Sequence, residues 1–91
     1  MLDGERRYRC KGCSCGRRLG VLAHDGGFSV TMYDPEIEWG VFVTREEMSE
    51  LLDNAAEDGF VVDDGMNEGT INLTDAQLAD LRKWALGEVV A

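Results

Sequence analysis

Alternating apolar and polar positions in the first half of the chain predict three consecutive antiparallel strands. Every second residue is apolar within residues 19–23, 28–32 and 37–43, which is the period of a strand with one buried face. Residues 25–27, Asp-Gly-Gly, are typical of a tight reversal because glycine tolerates a positive φ. Pro35 separates the second and third segments, since proline cannot donate to a strand ladder. The pattern therefore predicts a three-strand meander with one apolar face.

Two helices are predicted by capping boxes that precede apolar residues at helical spacing. In each box a threonine hydroxyl and a second side-chain acceptor lie three residues apart, and each accepts from a backbone N–H of the first helical turn. The two pairs are Thr44 with Glu47 and Thr74 with Gln77. The first box predicts a helix over about residues 45–57. The apolar stripes that follow are Met48, Leu51, Leu52, Ala55 and Ala56 in the first helix, and Leu78, Leu81 and Ala85, with Trp84 beside them, in the second.

The remaining segments complete the prediction of an α+β fold. Apolar residues 60–62, together with Ile71 and Leu73, flank a polar turn, which indicates a short hairpin. Residues 6–17 are interpreted as a short strand that leads into a turn with three cysteines. We therefore expect a small antiparallel sheet, built from a three-strand meander plus a short hairpin, packed by two amphipathic helices and preceded by an N-terminal cysteine-rich knuckle.

A chain of 91 residues has room for one hydrophobic core and hence one domain. We divide residues 1–91 into a basic, cysteine-rich head over 1–18, an acidic body over 19–86 and a frayed tail over 87–91. No apolar run approaches the roughly 20 residues that span a bilayer, and the N-terminus lacks the order of a signal peptide. We therefore expect a soluble, cytoplasmic protein.

Charge is distributed unevenly along the chain, whose formal net charge is −9. Residues 1–18 carry six basic and two acidic side chains, net +4, whereas the remainder carries three basic and sixteen acidic side chains, net −13. An acidic body attracts basic partner surfaces and repels phosphate backbones. The same separation of charge allows the head to fold onto the body.

A metal site is the first candidate for specific chemistry. Cysteines at positions i and i+3 with an intervening glycine can face one ion, and thiolate and imidazole are the ligands that zinc prefers in structural sites. Three cysteines and the single histidine of the chain supply four such ligands, which predicts bound zinc. The predicted ligands are Cys10, Cys13, Cys15 and His24.

Residues 8–19, Tyr-Arg-Cys-Lys-Gly-Cys-Ser-Cys-Gly-Arg-Arg-Leu, resemble the first half-site of zinc-ribbon and zinc-knuckle proteins, including short phage regulators of that class. The resemblance implies zinc binding at this segment and covers no more of the chain. It departs from those families because a second CxxC is missing, which leaves the fourth ligand open. Three free thiols in a glycine-rich turn, or a redox pair with a thiolate activated by nearby arginines, are the alternatives.

Residues 64–75 have two interpretations. Their spacing of carboxylates around Gly69 resembles an EF-hand calcium loop, although Met66 and Asp75 stand where an oxygen ligand and a bidentate glutamate are expected. The alternative is an acidic hairpin turn that feeds an N-capped helix.

Carboxylates cluster on the first predicted helix and in the turn after it, where no lysine intervenes. Rows of carboxylates on a rigid scaffold can imitate a phosphate backbone, so this surface predicts a non-enzymatic protein-binding module that docks a basic protein surface, such as that of a nucleic-acid-binding protein. A phage-type or accessory inhibitor, of the anti-restriction or anti-CRISPR kind, would have such a surface. The predicted partner-binding residues are Glu46, Glu47, Glu50, Asp53, Glu57, Asp58, Asp63 and Asp64.

The alternative function is that of a small zinc-finger regulator that binds nucleic acid through its basic head, with Tyr8 as a stacking surface. The residues that would make these contacts are Arg6, Arg7, Tyr8, Arg9, Lys11, Arg17 and Arg18. Catalysis is not expected, because the chain has one histidine and neither an HExxH motif nor a glycine-rich phosphate-binding loop.

Overall fold

The described part of the chain folds into a four-strand antiparallel sheet, a separate two-strand hairpin and two helices. The computed structural model describes residues 4–10 and 16–87. In chain order the elements are β1 (Glu5–Arg9), β2 (Arg18–His24), β3 (Gly27–Tyr33), β4 (Glu38–Thr44), α1 (Arg45–Asp58), β5 (Phe60–Asp63), β6 (Glu68–Ile71) and α2 (Asp75–Leu86). Strands β1 to β4 are neighbours in sequence order, and β5 pairs with β6. The predicted α+β class is confirmed.

The sheet has four strands rather than the three predicted, because β1 pairs with β2 along its whole length. Tyr8 is the only apolar residue of β1, so the alternation that marks the other strands is missing there. The strand is amphipathic nevertheless: Tyr8 is buried and Arg6 is half-buried on one face, while Arg7 and Arg9 are exposed on the other. The predicted cysteine-rich knuckle lies largely outside the described residues.

The two faces of the four-strand sheet differ in what covers them. On the inner face, alternate residues of β2, β3 and β4 are buried against α1, α2 and the hairpin, and the ring of Phe28 lies 5.8 Å from that of Trp84 in α2. On the outer face, Leu22, Tyr33 and Phe42 are exposed. Among the described residues, every helix therefore lies on the inner side of the sheet.

Both predicted capping boxes are confirmed. Thr44 Oγ1 accepts from the N–H of Glu47 at 3.2 Å, while the Glu47 carboxylate accepts from the N–H of Thr44 at 3.0 Å. Thr74 and Gln77 repeat the arrangement at the start of α2. The buried stripe of α1 is narrower than predicted, since Met48, Leu52 and Ala55 are buried, Leu51 is half-buried and Ala56 is exposed.

The hairpin is fixed against β4 by Trp39. Its indole N–H donates to the carbonyl of Val62 at 3.0 Å, and its ring lies over Gly69, where a Cβ would come within 2.7 Å of the ring. Glycine at position 69 is thus required by the close approach of the indole. Neither helix in the described part of the chain is long and apolar enough to cross a membrane.

At the end of α2, Gly87 adopts a left-handed conformation with φ 70 and donates its N–H to the carbonyl of Lys83. Gly87, the first residue of the predicted tail, therefore caps α2. The rest of the predicted tail, residues 88–91, lies outside the described residues.

Candidate functional site

Four carboxylates of α1 form a stripe on the side of the helix that faces away from the core. Glu46, Glu50, Asp53 and Glu57 are spaced by four, three and four residues, which places them within a narrow arc over about 16 Å of helix. All four are exposed. Asp53 pairs with Arg82 of α2 at 2.9 Å. We call these four residues the acidic stripe.

The charges of α1 oppose its helix dipole at the C-terminal end. Glu57 and Asp58 occupy the last turn of α1, which contains no basic residue, although the C-terminus of a helix carries partial negative charge. Carboxylates three or four residues apart on one helix face also repel each other. The placement of these charges therefore costs stability, and burial does not explain it because the side chains are exposed.

A groove of about 240 Å³ runs beside the acidic stripe between α1, β4 and β5. Its apolar part is formed by Val41, Val43, Leu51 and Val61, and three carboxylates line the same groove, namely Glu47, Glu50 and Asp63. The valines at 41 and 61 are half-buried, so part of their apolar surface remains open. Sequence reasoning found the carboxylates but missed the valines, because only the packing of β5 beside β4 brings them together.

Some of the predicted partner-binding carboxylates already have structural roles. Glu47 closes the capping box of α1. Asp64 accepts from the N–H groups of Met66 and Asn67 at 2.8 and 2.6 Å, and these bonds hold the pKa of its carboxyl below the ordinary range. Asp63 accepts from the N–H of Gly65. Residues 64–67 therefore form the hairpin turn, flanked by strands rather than by the helices of an EF-hand.

The basic head divides between the two faces of the sheet. On the inner face, the Tyr8 hydroxyl donates to Asp80 Oδ2 at 2.7 Å, and Arg6 lies 3.6 Å from the same carboxylate and over the ring of Trp84. Tyr8 is only 8% exposed, so its ring is not available as the predicted stacking surface. Burial, together with the bond to Asp80, raises the pKa of Tyr8.

Arg17 is likewise turned inward. Its Nε donates to Asp34 at 2.8 Å and its Nη1 to the carbonyl of Thr70 at 2.9 Å, so it connects the start of β2 to the hairpin. The Arg17 guanidinium lowers the pKa of the Asp34 carboxyl. Arg6, Tyr8 and Arg17 are thus removed from the predicted nucleic-acid surface, because the head folds onto the acidic body. Lys11 lies outside the described residues.

The other three arginines project from the outer face. Arg7, Arg9 and Arg18 line a cleft of about 380 Å³ together with Tyr33 of β3. Tyr33 was not among the predicted site residues. It was recognisable from the two-residue turn at Asp25 and Gly26, which pairs His24 with Gly27 and therefore Arg18 with Tyr33.

The predicted set of four zinc ligands is wrong as a single site. Cys10 lies beside Arg17, to whose carbonyl it donates its N–H, whereas His24 is at the far end of β2. The length of β2, seven residues or roughly 20 Å, separates Cys10 from His24. Each ligand atom of a zinc site must lie within about 2.3 Å of the ion. His24 instead lies 2.7 Å from the hydroxyl of Ser29. Cys13 and Cys15 lie outside the described residues, so zinc binding by the cysteines stays a prediction.

The chain matches no protein-family model, no curated protein and no solved structure at a significant level. Its function is therefore inferred from the geometry of these two surfaces.

Proposed function

We propose that this protein is a non-enzymatic binding module that docks a basic segment of a partner protein on α1. The acidic stripe supplies the charge, and the groove between α1, β4 and β5 supplies an apolar contact beside it. A segment that carries lysine or arginine next to aliphatic side chains is complementary to this combination, because the cations reach the rim while the aliphatic groups cover the valines.

The observation that supports this proposal is the arrangement of charge on α1. Like charges at helical spacing, and two carboxylates at the negative end of the helix dipole, make the free protein less stable than a neutral helix surface would. A basic partner relieves both effects on binding. Within the described part of the chain, Asp53 is the one member of the acidic stripe that forms an ion pair, and Glu46, Glu50 and Glu57 are the residues proposed to contact the partner.

Charges on an interface rim act chiefly on the association rate. An inhibitor that occupies the basic surface of a nucleic-acid-binding protein would have this property, and the phage-type or accessory role is the biological setting that we favour. The weaker alternative, nucleic-acid binding by the whole head, loses support because Arg6, Tyr8 and Arg17 make intramolecular contacts.

The test uses a synthetic peptide of alternating lysine and leucine as a defined probe, with an alternating glutamate and leucine peptide as its negative control. We expect the basic peptide to bind, and the double variant Glu46→Lys with Glu50→Lys to slow association by roughly tenfold or more at low salt. A double variant with the same change in net charge, Glu36→Lys with Glu38→Lys, lies at the start of β4, a strand length from the Thr44 cap of α1, and is the matched control.

Equal loss of binding in the two double variants would mean that only net charge matters, and the proposed interface would be wrong. Capture of partners from the native cell with the wild type and with the α1 double variant then identifies the natural ligand, since the true partner is retained by the wild type and lost from the α1 variant.

A further inference from the structure

The cleft on the outer face contains two arginines that face each other, with no neutralising carboxylate among residues 4–10 and 16–87. Arg9 of β1 and Arg18 of β2 are directly opposite in the strand register. The next pair along the ladder, Cys10 and Arg17, is joined by a hydrogen bond from the Cys10 N–H to the Arg17 carbonyl. Because hydrogen-bonded and non-hydrogen-bonded pairs alternate, Arg9 and Arg18 are a non-hydrogen-bonded pair, in which the Cα atoms are only about 4.5 Å apart. Like charges at such positions destabilise a sheet.

No carboxylate of the described residues forms an ion pair with Arg9 or Arg18. The third arginine of the cleft, Arg7, pairs with Glu5 at 3.0 Å, but both side chains are well exposed and such a pair contributes little. Among the described strand residues, Glu38 is the other carboxylate on this face; it lies opposite Tyr33 in the register and does not line the cleft. The cleft is thus locally cationic in an acidic protein.

An aromatic ring forms one wall of the same cleft. Tyr33 follows Arg18 in the row of residues across the sheet, and its ring lies over Gly20, where a Cβ would come within 3.0 Å of the ring. Tyr33 remains 36% exposed, so part of the ring is free to contact a ligand. Guanidinium groups match phosphate oxygens in bidentate geometry, and an exposed aromatic ring is a stacking surface for a nucleobase.

We propose that this cleft binds a nucleotide, with its phosphate between Arg9 and Arg18 and its base against Tyr33. The volume of about 380 Å³ lies within the range of small-ligand sites, about 300–1,000 Å³. The nucleotide is either free or a unit of single-stranded nucleic acid. For a single strand, Phe42 offers a second ring: it is 53% exposed on the same face, four residues along β4 from the row of Tyr33, or about 13 Å.

The acidic body does not prevent this binding at physiological salt. The acidic stripe lies on the inner side of the sheet, across a molecule whose smallest extent is 21 Å, and the Debye length at 0.15 M salt is about 8 Å. The repulsion of a phosphate by α1 is therefore largely screened at the cleft. A duplex presents its phosphates over a wider area and shields its bases, so it is not the expected ligand.

The experiment follows backbone amide signals of the isotope-labelled protein by NMR during titration with AMP, ATP, an oligothymidylate of about eight nucleotides and inorganic tripolyphosphate. We expect the nucleotides to shift the signals of Arg18, Gly20 and Tyr33. Arg9→Gln and Arg18→Gln should each weaken binding roughly tenfold. Lys83→Gln removes the same charge from an exposed site on α2 and should leave affinity unchanged.

Tyr33→Leu separates base recognition from anion binding, because it should weaken binding of AMP and the oligonucleotide but not of tripolyphosphate. Tighter binding of the oligonucleotide than of AMP, reduced by Phe42→Leu, would identify a single strand as the natural ligand, and the reverse order would identify a free nucleotide. Thermal melting verifies folding, and Arg9→Gln should raise the melting temperature because it removes the like-charge pair.

Two results would overturn the proposal. One is the absence of shifts at the cleft with every nucleotide. The other is binding of tripolyphosphate as tight as that of ATP and insensitive to Tyr33→Leu, which would indicate nonspecific attraction of anions. Neither result bears on α1, so the proposed function and this inference fail independently.

Discussion

The hydroxyl of Tyr8 donates a hydrogen bond of 2.7 Å to the carboxylate of Asp80, and this bond ties the first strand of the sheet to the last helix. Seventy-two residues separate the two partners in sequence. Asp80 also forms an ion pair with Arg6 at 3.6 Å, so a single carboxylate of the acidic body contacts two residues of the basic head. Part of the opposite charge on the head and the body is therefore paired within the molecule.

The first prediction concerns stability at alkaline pH. The pKa of Tyr8 is raised above its ordinary value of 10.0, first by burial and then by the bond to Asp80, so the unfolded chain loses the tyrosine proton before the folded protein does. The free energy of unfolding should therefore fall as pH rises above about 10. Tyr8→Phe should lower stability by about 1 kcal/mol at pH 7 and flatten the alkaline decrease. Urea unfolding at several pH values measures both effects, and an unchanged alkaline slope would contradict the assignment.

The second prediction distinguishes two neighbouring leucines of α1. Leu52 is 1% exposed, and Leu52→Ala should cost about 2 to 5 kcal/mol because it leaves a cavity in the core. Leu51 is half-buried and lines the groove, so Leu51→Ala should cost about 1 kcal/mol but should weaken binding of the basic peptide. Denaturant unfolding gives the two costs, and equal costs would show that the groove is part of the core.

The third prediction concerns a conflict between stability and binding at the acidic stripe. Glu57→Lys places a cation at the negative end of the α1 dipole and should stabilise the protein by about 0.5 to 1 kcal/mol. Glu46→Lys makes the same change in charge at the positive end, where the lost dipole interaction is offset by relief of the repulsion from Glu50, so it should not stabilise the protein as Glu57→Lys does. Both should weaken binding of a basic partner. Chemical unfolding and binding kinetics of the two variants test this, and destabilisation by Glu57→Lys would show that its carboxylate has a structural role.

The fourth prediction concerns metal. If Cys10, Cys13 and Cys15 bind zinc, protein purified without chelator should contain about one zinc per chain, and Cys13→Ser should release it. His24→Ala should leave the zinc content unchanged, because His24 is a strand length away from Cys10. Metal analysis of the three proteins decides the matter. A loss of zinc on replacing His24 would mean that the strand register described above is incorrect.

The success of sequence reasoning depended on how local each signal is. The capping boxes of Thr44 and Thr74 predicted both helices because the interacting groups are three residues apart. The strand β1 was not counted in the sheet because arginine side chains obscure its alternation, although Arg6 and Tyr8 share its inner face. The zinc prediction failed at His24 because counting potential ligands in a sequence does not show how far apart they lie in the fold. The direction in which each arginine points depends on strand register, which is a property of the pairing rather than of composition.

Arg17 has a consequence for how the protein opens. It reaches Asp34 in the turn after β3 and the carbonyl of Thr70 in β6, so it spans three segments that are far apart in sequence. A two-strand hairpin is marginally stable by itself and would ordinarily exchange its amide hydrogens through local opening. Arg17 is hydrogen-bonded to β6 and Trp39 to β5. The amide hydrogens of the hairpin are therefore expected to exchange only when the four-strand sheet unfolds with it, as one cooperative unit.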